Sequence, residues 1–149
     1  MAYHPRLSEA LAVVDCIDPD AYTTADITGD TIDMSKHARV MFIVMAGTLG
    51  SSATVNFVVY GSASSNMATP GALTGKLITQ LTEAGTDSDK QAVVEVTAEE
   101  VKAQGYRYIR GTLTIGTATS DAGVVTLADH SRYAPASELD LASVDEIVA

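Results

Sequence analysis

The chain has few aromatic residues, a single cysteine and no long hydrophobic run. It holds one cysteine, Cys16, no tryptophan and two phenylalanines in 149 residues. A lone cysteine cannot form a disulfide within the chain, which excludes a disulfide-stapled secreted scaffold. No stretch approaches the roughly 20 apolar residues of a membrane helix. The charged start "MAYHPRLSEALAVVD" does not match a signal peptide. We therefore expect a soluble chain that is made and used without export.

Positive charge is scarce as well, since nine Lys and Arg face 19 Asp and Glu, for a net charge of −10. Six aspartates within residues 15–33 and four acids within the last twelve residues account for the whole excess. An acidic surface repels phosphate backbones, so nucleic-acid binding is not expected. Solubility is the ordinary role of such charge. The alternative is that the two acidic segments meet a basic partner.

Signals for catalysis are also missing. The three histidines, His4, His37 and His130, are far apart and lack the companions that a metal enzyme of the cupin type needs. No nucleophile-elbow, Walker or dinucleotide-binding glycine pattern is present. Cys16 lies in an apolar run, where a small buried thiol is the ordinary interpretation. The sequence predicts no enzyme, no catalytic residue, no cofactor and no metal site.

Two weaker binding hypotheses come from local clusters. The first is calcium, held by a polar stretch with five aspartates, Asp18, Asp20, Asp26, Asp30 and Asp33. Their spacing does not fit an EF-hand loop, and aspartates are ordinary turn formers. The second is a sugar platform, with Tyr106 and Tyr108 on one strand face, although such pairs more often fill an interface. We keep turns and interface packing as the favoured interpretations.

Short β-rich runs bounded by Gly, Ser, Asn and Asp dominate the chain, which favours an all-β fold. We predict seven strands, at 11–17, 38–46, 53–61, 75–81, 91–97, 106–116 and 122–128. "GTLGSSA" suits a hairpin turn, and "TAEEVKAQG" predicts a short helix with Thr97 as N-cap, Glu100 in the capping box and Gly105 at the end. The expected fold is an antiparallel β-sandwich of jelly-roll type with one short helix and extended termini. The expected division is an arm at 1–10, the sandwich at 11–128 and an acidic tail at 129–149.

The predicted strand at 38–46, "ARVMFIVMA", is apolar on both of its faces. Val40, Phe42 and Val44 form one alternating set, and Met41, Ile43 and Met45 form the other. A strand with one exposed face should alternate apolar and polar residues. Both faces of this strand must therefore be covered. The second cover is either a terminal segment of the same chain or another subunit.

The order of several segments resembles a known class of protein. "DMSKHARVMFIVMAGTLG" and "GKLITQLTEAGTDSDKQAVVEVTAEEVKAQGYRYIRGTLTIG" are similar to small proteins of tailed bacteriophages and prophages encoded beside the major capsid protein. The resemblance covers about residues 10–128, leaves out the tail and includes no catalytic motif. It implies a capsid decoration (cement) protein with a jelly-roll or sandwich fold, often trimeric. Its implied partner is the major capsid protein, and its implied location is the capsid outer surface, after synthesis in the bacterial host cytoplasm. The alternatives are another virion component, such as a head fibre base, neck or tail protein, or a carbohydrate-binding β-sandwich module.

A set of apolar, tyrosine and arginine side chains is predicted to meet a second copy or the capsid. The set is Met41, Ile43, Met45, Tyr106, Tyr108, Arg110, Leu141, Val144 and Val148. Tyr106, Tyr108 and Arg110 are expected on one outward strand face. In the tail, Ser137 is the expected N-cap of a short helix with Leu141, Val144 and Val148 along one stripe. A helix this short must dock on a partner or stay a frayed terminus.

Overall fold

The computed structural model describes residues 6–129 and 135–148, and His4 and His130 lie outside them. Ten strands occur in these residues. The strands are β1 (Leu11–Tyr22), β2 (Ala25–Thr28), β3 (Ile32–Asp33), β4 (Arg39–Leu49), β5 (Thr54–Ser62), β6 (Gly71–Leu77), β7 (Leu81–Thr82), β8 (Gln91–Thr97), β9 (Tyr108–Gly116) and β10 (Ser120–Asp129). Two short helices, α1 (Leu7–Ala10) and α2 (Ala98–Ala103), and a 3-10 turn (Ala136–Leu139) complete the described structure.

The strands form two antiparallel sheets that pack face to face. The first sheet has the order β1-β10-β4-β8, and the second has the order β2-β9-β5-β6, with the short β3 and β7 beside β9 and β5. Numbering the eight principal strands along the chain gives the orders 1-8-3-6 and 2-7-4-5. Each sheet thus alternates strands from the two halves of the chain, as two Greek keys produce. This order confirms the predicted jelly roll.

Side chains from both sheets fill the space between the layers. Val40, Phe42 and Val44 of β4 are at most 1% exposed, and they face Val55, Phe57 and Val59 of β5, which are also fully buried. The rings of Phe42 and Phe57 lie 5.3 Å apart between centroids in a tilted arrangement. A Cβ on Gly111 would lie 2.8 Å from Cε2 of Phe57, so only glycine leaves room for this ring. The interior is therefore a packed core.

The predicted strands differ from the observed ones mainly at their ends. All seven have a counterpart, but β1 runs on to Tyr22 and β9 begins at Tyr108. The strand expected at 75–81 is divided between the end of β6 and the start of β7, and the buried Ile78 lies between them. The strands β2 and β3 were not predicted. Their residues alternate apolar and polar over only two to four positions, within a stretch that looks like a loop.

The predicted helix is confirmed as α2. The hydroxyl of Thr97 accepts a hydrogen bond from the Glu100 N–H at 3.2 Å, and the Glu100 carboxylate accepts from the Thr97 N–H at 2.9 Å. Such a capping box satisfies two donors that the first turn of a helix leaves free. Gly105 follows with a φ of 81° and ends the helix. The capped helix closes one end of the sandwich, where Val101 is fully buried.

The predicted tail helix is wrong. The described tail forms the 3-10 turn Ala136–Leu139 and continues without regular structure, and the residue that caps the turn is Pro135 instead of Ser137. The backbone instead pairs with the edge of β1, where the Leu141 N–H donates to the Val13 carbonyl oxygen at 2.8 Å. A helix of this length is marginal in water, so contacts with an open strand edge decide the conformation of the tail. The described part of the tail thus docks on its own chain.

Candidate functional site

The first sheet presents an apolar surface on the side away from the core, here called the outer face. Directly paired residues of antiparallel strands lie on the same side of a sheet. The register pairs Cys16 with Val125, Val125 with Ile43, and Ile43 with Val93. One row across all four strands is therefore free of polar side chains. Val93 is 58% exposed, and the other three are half-buried, so the row is open to solvent.

Neighbouring rows enlarge this surface. On one side the register aligns Val13, Leu127 and Met41 with Glu95, and on the other side it aligns Gly123 and Met45 with Gln91. Four strands about 4.8 Å apart with three outward positions on each span roughly 400 Å², of which the nine apolar positions take up roughly 300 Å². Apolar patches of this size on monomers are often binding sites. The outer face comprises Val13, Cys16, Met41, Ile43, Met45, Val93, Gly123, Val125 and Leu127.

Carboxylates surround the outer face. Asp18 lies beside Cys16, with 3.8 Å between its Oδ1 and the sulfur, and burial together with this acid raises the pKa of the Cys16 thiol. Asp121 and Asp20 line a hollow of about 490 Å³ together with Met45. Asp121 is exposed, whereas Oδ1 of Asp20 accepts the Ala21 N–H at 2.7 Å.

At the opposite end of the outer face, Arg39 and Asp129 form an ion pair across β4 and β10. They border a smaller hollow of about 170 Å³, which also contacts Met41, Glu95 and Leu127. The arrangement is an apolar centre with a mainly acidic border, and the base that lines this smaller hollow, Arg39, is ion-paired.

Both edges of the first sheet are closed. At β1, the Val13 N–H donates to Oδ1 of Asp140 at 2.6 Å, beside the hydrogen bond from Leu141. At β8, Nζ of Lys76 donates to the Glu95 carbonyl oxygen at 2.8 Å and pairs with Glu100 at 2.7 Å. Charged side chains and covering segments are known ways to keep a strand edge from pairing with another chain. A partner of this sheet therefore meets the outer face more readily than its edges.

The tail also covers one corner of the outer face. Leu7 and Leu11 line a hollow of about 240 Å³ together with Leu127, Val144 and Ile147. The sequence offered two covers for the second face of the strand at 38–46, a terminal segment or another subunit. The terminal segment reaches the corner near Leu127, whereas the row through Ile43 stays open. Val148, the last residue of the predicted stripe, is 86% exposed.

The predicted grouping of Tyr106, Tyr108 and Arg110 on one outward face is wrong for Tyr106. This residue precedes β9, and its ring packs on the inner side of β5, where a Cβ on Gly61 would lie only 2.5 Å from its Cδ2. Tyr106 thus belongs to the packing at the end of the core, because the missing side chain of Gly61 leaves space for the ring. A two-tyrosine sugar platform is therefore not formed. Whether any residue of this set meets a partner stays a prediction.

Tyr108 and Arg110 do lie on the outward side of the second sheet. The guanidinium of Arg107 sits 5.0 Å from the centroid of the Tyr108 ring, a cation–π geometry. Nε of Arg110 is buried and has no hydrogen-bond partner among the residues of 6–129 and 135–148. This side is otherwise rich in hydroxyls, such as Thr112 and Thr114. The two sheets therefore present different surfaces, one apolar and one mixed.

Two ionisable side chains are buried away from the outer face. Asp15 is fully buried, and its carboxylate accepts from the Asp30 N–H at 2.7 Å and from the Thr126 hydroxyl at 3.3 Å. Burial raises the pKa of Asp15, an effect larger than the lowering by its hydrogen bonds. His37 is 3% exposed, and burial lowers its pKa, with a smaller contribution from Lys36. Asp15 thus fixes the loop at Asp30 to the sandwich, whereas Nδ1 of His37 has no hydrogen-bond partner within residues 6–129 and 135–148.

The aspartates of the possible calcium stretch have separate local partners. Asp33 pairs with Arg107 through two hydrogen bonds of 2.9 and 2.7 Å, which hold the pKa of its carboxyl well below the usual range. Asp26 accepts from the Thr114 hydroxyl at 2.6 Å. Across residues 6–129 and 135–148, no three His, Cys, Asp or Glu side chains are grouped so that they could hold a metal ion. In the same ranges no helix is long and apolar enough to cross a membrane.

Comparisons with known proteins gave structural likenesses only. No family model and no curated protein matches the chain. A solved VP2 subviral particle of infectious bursal disease virus is 11% identical, covers 85% of this chain and 34% of its own, and has a TM-score of 0.48. The Gt strain of the same virus gives 12% identity, 85% and 34% coverage, and a TM-score of 0.42. Desmodium yellow mottle tymovirus gives 10% identity, 89% and 95% coverage, and a TM-score of 0.38.

The chain spans about a third of the infectious bursal disease virus chains, and all these TM-scores lie below 0.5. They therefore carry no argument about function. The strand order carries the fold assignment by itself. Jelly rolls occur in viral capsid domains, lectins and cupins.

Sequence reasoning found part of the outer face and missed the rest. Met41, Ile43 and Met45 were predicted from the two apolar sets of one strand. Val93, Val125 and Cys16 were not, although their signal was present. "QAVVEVT" and "AGVVTLA" also place apolar residues on both sides of a strand. Combining these three strands into one surface required their order and register, which no local pattern contains.

Proposed function

We propose that this chain is a structural virion protein that decorates and stabilises the icosahedral capsid of a tailed bacteriophage by binding the major capsid protein. Its place is the outer surface of the capsid. The chain's resemblance to small phage proteins encoded beside the major capsid protein supports the phage assignment. The jelly-roll order supports the broader virion role, because viral capsid domains are among the main users of this fold.

One observation carries the proposal, namely a packed interior combined with an open apolar outer face. Cupins work inside the sandwich, but here Phe42, Phe57 and Leu113 fill that space and are 0% exposed. Sugar platforms need flat aromatic rings at the surface, and Tyr106 packs inward. An apolar surface of roughly 300 Å² remains as the feature that calls for a partner. A protein that works by attachment needs such a surface and no reaction chamber.

The proposal includes self-association into a homotrimer. The outward side of the second sheet offers Tyr108 and Arg110, residue types that are enriched in protein interfaces. The Arg110 Nε that has no partner among the described residues is consistent with a surface completed by another subunit. Light scattering over a range of concentrations tests this part. Only monomers at high concentration, together with isolated copies on particles, would contradict it.

Thermal rupture of capsids tests the cementing role. A protein that binds only the intact shell stabilises it by mass action. DNA-filled particles stripped of this protein should rupture at a lower temperature than decorated particles, and adding the purified protein back should restore the difference. DNA release can be followed with an intercalating dye. Equal rupture temperatures with the protein bound would contradict cementing and favour a head fibre base, which binds without clamping.

A further inference from the structure

The size of the outer face limits what can cover it. Stable protein pairs bury about 800 Å² on each partner. The outer face offers roughly 300 Å², so a second copy laid against it would bury less than half of that amount. A helix about 10 Å wide and 20 Å long, or roughly 14 residues, covers roughly 200 Å² and fits within the outer face. The size therefore favours one short segment over a flat protein surface.

The charge around the outer face indicates the sign of the charge on that segment. Its border includes the carboxylates Asp18, Glu95, Asp121 and Asp129. Two bases near this border are ion-paired, Arg39 with Asp129 and Lys76 with Glu100. A second copy placed face to face would bring the same acids against these, and like charges across an interface oppose association. A segment with Lys or Arg beside its apolar residues meets opposite charges instead.

The larger hollow fits the side chain of such a residue. Its lining includes Met45 and Asp121. Asp121 is exposed and lies on the outer side of the sheet, because its Cβ would be only 3.0 Å from a Cβ on Gly47. Asp20 is less available, since its Oδ1 accepts the Ala21 N–H at 2.7 Å. Lys and Arg combine an apolar stem with a charged head, so the stem can lie along Met45 while the head pairs with Asp121.

We propose that the outer face binds one short cationic amphipathic segment of a partner protein, with a Lys or Arg side chain beside Asp121. The apolar residues of the segment lie across the row Cys16, Val125, Ile43 and Val93. This inference deepens the proposed function and rests on it for the origin of the segment, which would be the shell protein. The closed edges of the sheet favour this face-on binding over strand addition.

Two synthetic peptides test the inference without any capsid. Each has about 14 residues and the same leucine stripe, and the polar positions are all Lys in one and all Glu in the other. Fluorescence anisotropy with the full chain should show saturable one-to-one binding of the Lys peptide, at least about tenfold tighter than that of the Glu peptide. Bound Lys peptide should also slow alkylation of Cys16, which lies in the central row.

Matched variants locate the binding. Val93→Asn, at a 58% exposed position that tolerates substitution, and Ile43→Asn should each weaken the Lys peptide about tenfold. Asp121→Asn should weaken it about threefold and leave the Glu peptide no weaker. The control is Val58→Asn, on the outward side of the second sheet, which should change nothing. Thermal unfolding checks that each variant folds.

Several results would overturn the inference. They are absence of saturation, equal binding of the two peptides, or an equal loss from Val58→Asn. If alkylation of Cys16 slows as the protein concentration rises without any peptide, the outer face binds a second copy of the chain. If the peptide test fails while the protein still co-sediments with capsids, the inference is wrong and the proposed function stands. If the Lys peptide binds as described and capsids are not bound, the proposed function is wrong and the docking surface stands.

Discussion

Replacing Asp140 by alanine should destabilise the fold, because this residue closes the edge of β1. Its Oδ1 accepts the Val13 N–H at 2.6 Å in a partly buried setting. Hydrogen bonds to charged groups contribute about 1.5–3 kcal/mol when their partner is buried. Partial exposure lowers this value, so we expect a loss of about 1–2 kcal/mol in the free energy of unfolding. For a domain of this size that corresponds to a fall in Tm of about 3–8 °C.

Urea unfolding followed by circular dichroism measures this loss directly. The midpoint should fall while the slope with denaturant stays the same, because the surface exposed on unfolding does not change. Glu138→Ala is the matched control, since Glu138 is an exposed acid of the same tail. It should stay within about 0.5 kcal/mol of the wild type. A loss no larger for Asp140→Ala than for Glu138→Ala would refute the edge-closing role of the tail.

Deleting residues 137–149 extends the same reasoning. The deletion removes the Asp140 and Leu141 hydrogen bonds to Val13 together with the apolar contacts of Val144 and Ile147. We expect a larger loss of stability than for Asp140→Ala, and light scattering that grows with concentration, because an open strand edge pairs with other chains. A truncated protein with wild-type stability and no added scattering would show that the tail is dispensable.

Three further predictions concern the interior and the helix cap. Burial raises the pKa of Asp15 above its ordinary 3.8, so its contribution to stability is full below that pH and is lost as pH rises through the raised pKa. Asp15→Asn keeps an oxygen for the Asp30 N–H and does not ionise. The stability of this variant relative to wild type should therefore grow between about pH 4 and pH 7 in urea titrations. A stability difference that does not vary with pH would contradict this. Gly111→Ala should lower stability by about 1–3 kcal/mol in the same assay, because its Cβ meets the Phe57 ring, and a neutral change would show that the Phe42–Phe57 pair can shift. Thr97→Ala should lower stability by about 1 kcal/mol through loss of the α2 cap, whereas Thr97→Ser should retain most of it.

The sequence predicted the fold well because its core strands carry strong local signals. In β4, one of the two predicted apolar sets, Val40, Phe42 and Val44, forms the buried inner side. The helix α2 was predicted together with its N-cap residue, because a capping box occupies four consecutive positions. The short β2 and β3 were missed, since two to four residues carry too little periodicity. They are strands because β9 offers them a pairing edge.

The errors at Tyr106 and in the tail have one physical origin. In both places a long-range contact overrides a local pattern. Alternation along "YRYIR" placed Tyr106 outward, but the space above Gly61 draws its ring inward. Apolar spacing in the tail predicted a helix. The backbone of Val13 at the strand edge instead forms hydrogen bonds with the Asp140 carboxylate and the Leu141 N–H. Contacts between residues more than 40 positions apart cannot be inferred from local spacing.

The most direct test of the proposed function is the amount of this protein on purified virions. Quantitative mass spectrometry of gradient-purified particles gives its ratio to the major capsid protein. A cement protein should be present at one fixed ratio in every preparation, and Ile43→Asn with Val93→Asn, which alter the outer face, should lower that ratio while the variant stays folded. Absence from intact virions, or trace amounts that vary between preparations, would contradict the proposed function.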